Sequence, residues 1–523
     1  MEHNLLVIDV GTQSLRASIV SSNGNIALFK QIKYDVPFLS PKDGYAEQKV
    51  DFYIDQICLA TKNLKEQSPM LMKSLEGVVI VDFRDSSIIL DENKKPIRNS
   101  ILWLDQRVTL LNGKNLKLWE KLVFKIVGMS DTVKYNSERT ASFWIKKNEP
   151  KNWEKMKTYA PLGAYLNYRI TDNLTVSSAD CIGHYPINFK DGKWLGKLNP
   201  KFDVFGIPRD SLPPLTPVGK QIGKITAEFS KISSIPEGIP VYASGSDKAC
   251  ETFGNGCIHL NQASISLGTA CTIDVVSPKY LEPESFLPSY QAPYPGAYDL
   301  EVQIYRGLWM VRWYKEQFAY QDKLEAEKLN MSVEDYLEYK IKEIKPGCDG
   351  LVLQPYWGPG LKRPNARGSI VGFSGVHTRY HIYRAILEGV IFALREGLDE
   401  IYKKTKTKID QLVVSGGGSR NVTLLQMIAD IFGIKVIQAR TSETSTLGGA
   451  MSGFLASGVF KTPEEATANM VKRGTIFIPR KEVHKAYDRL YKTVYLKMYP
   501  SLKDMYKNLK YFCLETDGQI EEE

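Results

Sequence analysis

Cysteine and histidine are scarce in this chain, with seven and six residues among 523. The cysteines form no CxxC pair and no regular framework, which argues against a disulfide scaffold and favours a reducing cytoplasm. His377 and His381 are four residues apart, but neither a third ligand nor an HExxH pattern accompanies them. This spacing therefore does not predict a metal site.

Long apolar runs are also missing. No stretch approaches the ~20 residues needed to span a bilayer, and the start, MEHNLLVIDV, lacks the basic region and apolar length of a signal peptide. The net charge of +9 is spread along the chain, without zinc-finger spacing or an aromatic RNA-binding signature. We therefore expect a cytoplasmic protein that binds a small anionic molecule rather than a membrane or nucleic acid.

The length of the chain favours two globular domains, because 523 residues is long for one hydrophobic core. An apolar content of 43% and a charged content of 24% are ordinary for globular proteins. We predict an N-terminal domain over residues 1–245, a second domain over 246–480 and a helical tail over 481–523.

Two segments of similar pattern occur, one in each half. VIDVGTQSLRASIV and SISLGTACTIDVV each consist of a β-type run, a Gly-Thr turn and a second β-type run. Glycine lets a ligand approach the backbone closely, and free amide groups in such turns can meet an anion. The repeat predicts two domains of like design that offer two hairpins to one ligand between them. Two ordinary hairpins are the alternative.

Single carboxylates lie beside both hairpins. Asp247 follows the loop Ser244–Ser246, about twenty residues before the second hairpin, and phosphoryl transfer to a hydroxyl requires such an acid near a bound phosphate. Asp9 ends the first strand, where it could hold Mg²⁺ while the amides of Gly11–Gln13 face phosphate. The P-loop pattern GxxxxGK[ST] is absent, so a nucleotide would be bound in another way. Structural turn or capping aspartates are the alternative.

Two further groups suggest a site for hydroxyl compounds. Arg84 and Asp85 lie between two apolar strands, where a charged pair must be neutralised or face a cleft, and together they could bind a polyol's hydroxyls. Trp103 and Asp105 fall on one face of a strand predicted over residues 101–107, which gives an aromatic ring beside an acceptor. A structural ion pair and a core tryptophan are the alternatives.

The second half contains one more candidate loop. Residues 411–436 read as a strand, the glycines 416–418, a helix and another strand. Glycines before a helix N-terminus can admit a flat ring or a phosphate, although any tight βα turn has the same pattern. Helical spacing is also present over residues 50–66 and 377–404, and over residues 137–170 with interruptions at Pro150 and Pro161.

Taken in order, eight segments resemble the FGGY family of carbohydrate kinases, within the actin-like and Hsp70-like ATPase superfamily. They are DVGTQSLRASIV, GYAEQ, FRDSSIILD, ILWLDQR, GIPVYASGSDKA, SISLGT, YRAILEGV and SGGGSRNVTLLQMIAD. The resemblance extends from about residue 4 to about residue 460. It implies an α/β fold of two actin-like (ribonuclease H-like) domains, with mixed β-sheets flanked by helices and a cleft between them. It also implies ATP- and Mg²⁺-dependent phosphorylation of a small sugar, ketose or polyol.

The resemblance and the patterns above together give the candidate site residues. Asp247 is the expected general base, and Asp9 and Asp247 are the expected metal-binding acids. The expected substrate-binding residues are Arg84, Asp85, Trp103, Asp105, Tyr135 and Lys248. The expected nucleotide-binding residues are Gly11, Thr12, Gln13, Arg16, Gly268, Thr269, Gly307, Gly417, Gly418 and Asn421.

Departures from the family pattern concentrate on the sugar side. Asp82-Phe83 stands where Gly-Gln is common, and Arg84-Asp85 replaces the Met-His of typical xylulokinases. A plain xylulokinase is therefore disfavoured and the sugar is open. The alternatives are a kinase for a non-carbohydrate hydroxyl metabolite and a non-catalytic ATP-binding switch of the actin-like class. The oligomeric state is also open, a homodimer included.

Overall fold

Two mixed β-sheets, one in each half of the chain, organise the fold. A computed structural model describes residues 2–111, 113–283, 288–358, 363 and 365–516. The strands are β1 (Asn4–Val10), β2 (Ser14–Ser21), β3 (Ile26–Lys33), β4 (Glu47–Gln48), β5 (Leu75–Asp82), β6 (Ser87–Leu90), β7 (Ser100–Ile101), β8 (Thr158–Pro161), β9 (Val176–Ser177), β10 (Ile187–Asn188), β11 (Lys193–Trp194), β12 (Leu215–Thr216), β13 (Gln221–Lys224), β14 (Pro240–Tyr242), β15 (Gln262–Leu267), β16 (Cys271–Ser277), β17 (Tyr290–Gln291), β18 (Tyr298–Ile304), β19 (Val352–Gln354), β20 (Ser369–Val371), β21 (Gln411–Ser415), β22 (Lys435–Ala439) and β23 (Arg473–Phe477).

Helices flank both sheets. The α-helices are α1 (Val50–Gln67), α2 (Pro69–Lys73), α3 (Leu118–Ile126), α4 (Ser130–Glu138), α5 (Ala141–Asn148), α6 (Pro150–Lys155), α7 (Leu162–Thr171), α8 (Lys201–Phe205), α9 (Ala227–Ser233), α10 (Asp247–Gly254), α11 (Trp309–Phe318), α12 (Tyr320–Lys328), α13 (Val333–Ile341), α14 (Arg379–Thr405), α15 (Val422–Phe432), α16 (Thr444–Ser457), α17 (Pro463–Met470), α18 (Lys481–Leu490) and α19 (Leu496–Thr516). None of the described helices is long and apolar enough to cross a membrane.

The two large sheets share one strand order. The first runs β3-β2-β1-β5-β14-β13, and the second runs β18-β16-β15-β21-β22-β23 with β17 added beside β18. In these six-strand orders the first three strands pair antiparallel with their neighbours. The third, fourth and fifth strands pair in parallel, and the sixth pairs antiparallel with the fifth. The prediction of two α/β domains of like design, with mixed sheets, is confirmed.

Both faces of the first sheet are buried because β1 is apolar at nearly every position. Leu6 and Ile8 face a core formed with α1 and α7. Leu5 and Val7 face the opposite way, and there they pack with Met451 and other residues of α16. A helix from late in the chain thus covers one face of the sheet formed by the earliest strands.

Helices α10 and α16 cross at very short distance between the two sheets. A Cβ atom on Gly448 would lie 1.8 Å from the carbonyl oxygen of Cys250, and one on Gly254 would lie 2.0 Å from that of Thr444. Real Cβ atoms do not approach so closely, so only glycine permits this crossing. The crossing fixes the position of α10, whose first residue is Asp247.

The C-terminal helices complete the second core. Tyr487, Tyr491 and Tyr495 are almost fully buried, and their rings surround Phe392 of α14 at centroid distances of 5.2–6.0 Å. Aromatic groups of this size supply a large share of the apolar surface that a core removes from water.

Two predicted elements differ from the structure. The strand predicted over residues 101–107 is wrong beyond Ile101, because the chain turns there and the Asp105 amide donates to the Leu102 carbonyl at 3.0 Å. The helical region predicted over residues 137–170, with interruptions at Pro150 and Pro161, contains α5, α6 and α7, but strand β8 lies between α6 and α7, where no strand was predicted. The helices predicted over residues 50–66 and 377–404 are confirmed as α1 and α14.

Candidate active site

Asp247 begins helix α10 between the two sheets. The Ser246 side chain caps the helix by accepting from the Ala249 amide, and the Lys248 amide donates to Asp247 Oδ1 at 2.8 Å. Burial raises the pKa of the Asp247 carboxyl, whereas the cations of Lys248 and Arg84 lower it. The carboxylate is therefore held by fixed dipoles and two nearby positive charges, an arrangement suited to a proton acceptor.

Asp9 of β1 is a neighbour of Asp247. The pKa of the Asp9 carboxyl is raised to about 6, chiefly by burial and also by the charges of Asp247 and Glu443, while Arg16 opposes the rise. Its carboxylate accepts a long hydrogen bond from Arg16 Nη1 at 3.4 Å, and Arg16 Nε lies 3.1 Å from Glu443 Oε2. The first hairpin is thus connected electrostatically to α10 and to the start of α16.

The first Gly-Thr hairpin is closed by its own backbone and contacted by a tryptophan. The Gly11 amide donates to the Ser14 carbonyl at 3.0 Å. Trp103 Nε1 donates to Thr12 Oγ1 at 2.9 Å. Trp103, predicted on the sugar side, therefore lies against the hairpin, and the exposed Gln13 follows Thr12 at its tip.

The second Gly-Thr hairpin is held by the segment that follows β18. The amides of Leu308 and Trp309 donate to the carbonyls of Gly268 and Thr269, each at 3.1 Å. Gly307 packs so closely that a Cβ atom would lie 2.4 Å from Cys271 Sγ. The structure therefore brings Gly307 to the same hairpin as Gly268 and Thr269.

Lys248 points toward this second hairpin. Its Nζ donates to Ser266 Oγ and to Glu251 Oε2, both at 2.8 Å, and Ser266 stands two residues before Gly268. Glu251 Oε1 in turn accepts from Ser415 Oγ at 2.7 Å. A buried polar network thus extends from the residue after Asp247 to the ends of β15 and β21. Sequence patterns gave no indication of Glu251, since its partner Ser415 is distant in the chain.

The glycine loop after β21 lies beside the same hairpin. Gly416 has φ +82°, and a Cβ atom there would lie 2.7 Å from the Leu267 carbonyl. A Cβ atom on Gly418 would lie 2.5 Å from Leu308, whereas one on Gly417 would meet no atom within 4 Å among the described residues. The side chain of Asn421 caps α15 by accepting from the Leu424 amide at 2.7 Å.

Arg84 is paired with a residue of the opposite half. Its Nη1 lies 2.9 Å from Glu301 Oε2, and its Nη2 donates to Glu301 Oε1 at 3.0 Å. The guanidinium also lies over the Tyr290 ring, 5.4 Å from its centroid. Although burial lowers it, the charge of Glu301 raises the pKa of Arg84, with smaller contributions from Tyr290 and Asp247. Glu301 was not predicted, because no local pattern marks it.

Asp85 is paired as well. His184 Nδ1 lies 2.8 Å from Asp85 Oδ2, and the His184 amide donates to Asp85 Oδ1 at 2.9 Å. Tyr135 lies in the same region as Arg84 and Asp85, because all three interact electrostatically with Tyr305. The Arg139 guanidinium lies 3.6 Å from the centre of the Tyr135 ring.

Asp105 is occupied by the chain itself. Its carboxylate accepts from the Ala46 amide at 2.6 Å, from the Arg107 amide at 2.9 Å, and from Arg107 Nε and Nη2 at 2.7 Å. These four hydrogen bonds fill the acceptor positions of a carboxylate. The contacts favour a structural role for Asp105. The side chain of Trp103, by contrast, is exposed.

Asp82 and Asp180 form a second acidic pair, and both carboxyls interact with Asp247. A Cβ atom on Gly163 would lie 2.7 Å from Asp82 Oδ2 and 2.9 Å from Asp180 Oδ2, so both carboxyls lie against the start of α7. The pKa of both carboxyls is raised, that of Asp180 to about 6, chiefly by burial and in part by the charge of Asp247. Asp180 carries no sequence signal of its own.

The His184–Asp85 pair predicts a pH dependence of stability. Although burial lowers it, Asp85 raises the pKa of His184 above its ordinary value. The folded pKa thus exceeds the unfolded value of ~6.5, so the pair stabilises the fold below that pH and the contribution is lost as pH rises through the folded pKa. Chemical denaturation from pH 5.5 to 9 should show a larger loss in the wild type than in His184→Gln, because the raised pKa values of Asp9 and Asp180 act equally in both proteins.

The exposed His259 provides the matched control for this prediction. His259→Gln should keep the wild-type pH profile, because no side-chain ion pair accompanies that ring among the described residues. Parallel profiles for His184→Gln and the wild type would show that the pair does not stabilise the fold.

The chain is similar to known proteins along most of its length. The model of the FGGY family of carbohydrate kinases matches the chain in two parts, the N-terminal domain over residues 4–254 and the C-terminal domain over residues 263–457. A protein named xylulose kinase from Lactococcus lactis subsp. lactis (strain IL1403) is 27% identical over 511 residues, which is 96% of each chain.

Two solved structures are also similar. A ligand-bound xylulose kinase and a gluconate kinase, both from Lactobacillus acidophilus, superpose with TM-scores of 0.82 and 0.81. Each is 20% identical and is covered completely, over 97% of this chain. At this level of identity the two structures support the fold.

Proposed function

The chain belongs to the FGGY family of carbohydrate kinases, and we propose that Asp247 is the general base with which it phosphorylates its substrate. The activity is the ATP-dependent phosphorylation of a small sugar or polyol.

The position of Asp247 between the two Gly-Thr hairpins carries the proposal. Its carboxylate interacts with Asp9 of the first hairpin strand, and the adjacent Lys248 donates to Ser266 of the second. Arg84 contributes a positive charge from the sugar side. A hydroxyl group placed here could give its proton to Asp247 as its oxygen attacks the γ-phosphorus of ATP, the bond from that phosphorus to the bridging oxygen breaks, and ADP leaves.

The nucleotide is proposed to lie on the hairpin and glycine-loop side. Gly11, Thr12, Gln13 and Arg16 would meet phosphate from the first half, and Gly268, Thr269 and Gly307 from the second. Gly417, Gly418 and Asn421 would border the adenosine, supported by the open space above Gly417. The amide groups of such loops suit anionic oxygens. Residues 1–245 would then supply the sugar side and the first hairpin, and residues 246–480 most of the nucleotide side.

Asp9 and Asp247 fit Mg²⁺. Asp9 is almost fully buried and receives one long hydrogen bond within the described chain, so its carboxylate can still serve a cation. No group of three or more metal-binding side chains occurs among the described residues. Magnesium requires none, because it is usually bound by one or two carboxylates together with substrate phosphates and water. When bound, the ion supplies charge neutralisation at the phosphates.

A panel of hydroxyl compounds tests the proposed function. With ATP and Mg²⁺ present, ADP release should depend on one class of sugar or polyol and should rise at least ~10-fold over the rate without it, since water is a poor acceptor in a closed crevice. Equal slow hydrolysis with every compound would instead indicate an ATP-binding switch. Selective turnover of a non-carbohydrate alcohol would show that the substrate belongs to another class of hydroxyl compound, while Asp247 would remain the proposed base.

A further inference from the structure

We propose that the substrate pocket selects an uncharged polyhydroxy compound over the corresponding sugar acid, and that Glu301 sets this choice. The inference rests on the proposed function, because it takes Arg84 and Asp85 as the groups that face the substrate. It concerns a residue of the second half that acts on the sugar side.

The pairing of Arg84 is the first observation. Glu301 binds both terminal nitrogens of the guanidinium, at 2.9 and 3.0 Å, and the two side chains are only 13% and 6% exposed. A sugar carboxylate would need the same planar fork of donors. It would have to displace Glu301, which would leave a buried carboxylate without its cation, and that is costly.

Two further cations near Arg84 are also paired with carboxylates. His184 is held by Asp85, and Lys248 is held by Glu251. Arg139 has no carboxylate partner among the described residues; it is exposed, stacks on the Tyr135 ring and donates to the Tyr135 carbonyl. Arg306, next to Tyr305, also has no carboxylate partner among the described residues, and its guanidinium lies 4.6 Å from the centre of the Trp309 ring. Arg84, His184 and Lys248 are thus each neutralised by a carboxylate, whereas Arg139 and Arg306 are held by aromatic rings.

The strands behind Glu301 add acidic groups. Asp274 lies opposite Glu301 in the β16–β18 register, and Asp299 lies two residues before it on the same face. Neither carboxyl oxygen of Asp299 has a hydrogen-bond partner among the described residues, and Asp274 accepts from Thr272 Oγ1 at 2.8 Å. Burial, with the charge of Glu301, raises the pKa of both acids. Such groups repel an anion when ionised and bind hydroxyls when protonated.

Matched pairs of compounds test the selection in the wild-type enzyme. Xylitol or xylulose is compared with xylonate, and sorbitol or fructose with gluconate, by ATP-dependent ADP release. The better neutral member of each pair should have a kcat/KM at least ~10-fold above that of its acid, the effect of one misplaced charge-assisted hydrogen bond. Equal or better use of the acid overturns the inference. If no compound of either class is turned over, the proposed function itself fails.

Glu301→Gln tests the residue assigned. The substitution keeps the shape of the side chain and removes its charge, so Arg84 is no longer neutralised and the carboxylate of an acid can displace the Gln side chain at lower cost. The ratio of kcat/KM for acid to neutral compound should rise by ~10–100-fold, the range of a recovered charge-assisted pair. An unchanged ratio in a folded variant overturns the role of Glu301.

Two controls complete the experiment. Glu316→Gln makes the same change in an exposed pair with Arg312 and should leave the ratio as in the wild type. Arg139→Gln removes a cation that has no carboxylate partner among the described residues, and it should also leave the ratio unchanged. If the wild type prefers the acid and Arg139→Gln abolishes that preference, the selection belongs to Arg139 and the inference is overturned. If Glu301→Gln does not fold, the wild-type comparison still decides whether neutral compounds are preferred.

Discussion

Replacing Asp247 by asparagine is expected to lower kcat by ~10²–10⁴-fold, the usual contribution of a general base. Asparagine fills the same space and can still accept from the Lys248 amide, but it cannot take up the substrate proton. The KM for ATP should change little, because the hairpin backbones that would meet the phosphates are untouched. Steady-state kinetics on the best substrate from the panel measures both quantities.

The fold should survive this substitution. Lys248 keeps its contacts with Glu251 and Ser266, and Arg84 keeps Glu301, so neither neighbouring cation is left unpaired. Asp504→Asn on the exposed surface of α19 is the matched control and should retain wild-type turnover. An Asp247→Asn variant that keeps near-full kcat would remove Asp247 from the mechanism.

The second large effect is expected on stability, from Gly448→Val. A Cβ atom at this position would lie 1.8 Å from the Cys250 carbonyl oxygen, a backbone atom that no rotamer change can move away. Helices α10 and α16 must separate, which disrupts the packing of both against the first sheet. We expect a loss of about 3 kcal/mol or more in the free energy of unfolding, a large part of the ~5–15 kcal/mol that a domain has.

Chemical denaturation, followed by tryptophan fluorescence, measures this loss. Gly196→Val is the matched control, because a Cβ atom there meets nothing within 4 Å among the described residues. Gly448→Val should also reduce kcat in any protein that remains folded, since α10 carries Asp247 at its start. A midpoint equal to that of Gly196→Val would show that the crossing tolerates a side chain and would contradict the prediction.

Local pattern was sufficient for much of the fold. The turn at Gly11-Thr12 and the turn at Gly268-Thr269 were both predicted from a glycine between two β-type runs, and both join the expected strands. The helix of residues 377–404 follows from its apolar spacing alone. These features depend on short-range chemistry, which a sequence displays directly.

The pairing of charges could not be predicted in the same way. Arg84 and Asp85 were chosen because charges between apolar strands need partners, but Glu301 and His184 are far away in sequence and lie in no motif. The strand expected through Asp105 ended early for a related reason, since its carboxylate is bound by the Ala46 amide across a turn. Long-range contacts decided these positions, and propensity did not.

The packing of α16 on the first sheet has a consequence for how the chain is made. Strands β1 and β5 leave the ribosome early, yet the helix that covers Leu5 and Val7 is translated roughly 430 residues after β1, some tens of seconds later at about 5–20 residues per second. During that interval one face of the nascent sheet is exposed to water. We therefore expect the N-terminal half, expressed alone, to be less stable than the full chain, because this apolar face of its sheet lacks the helix that covers it.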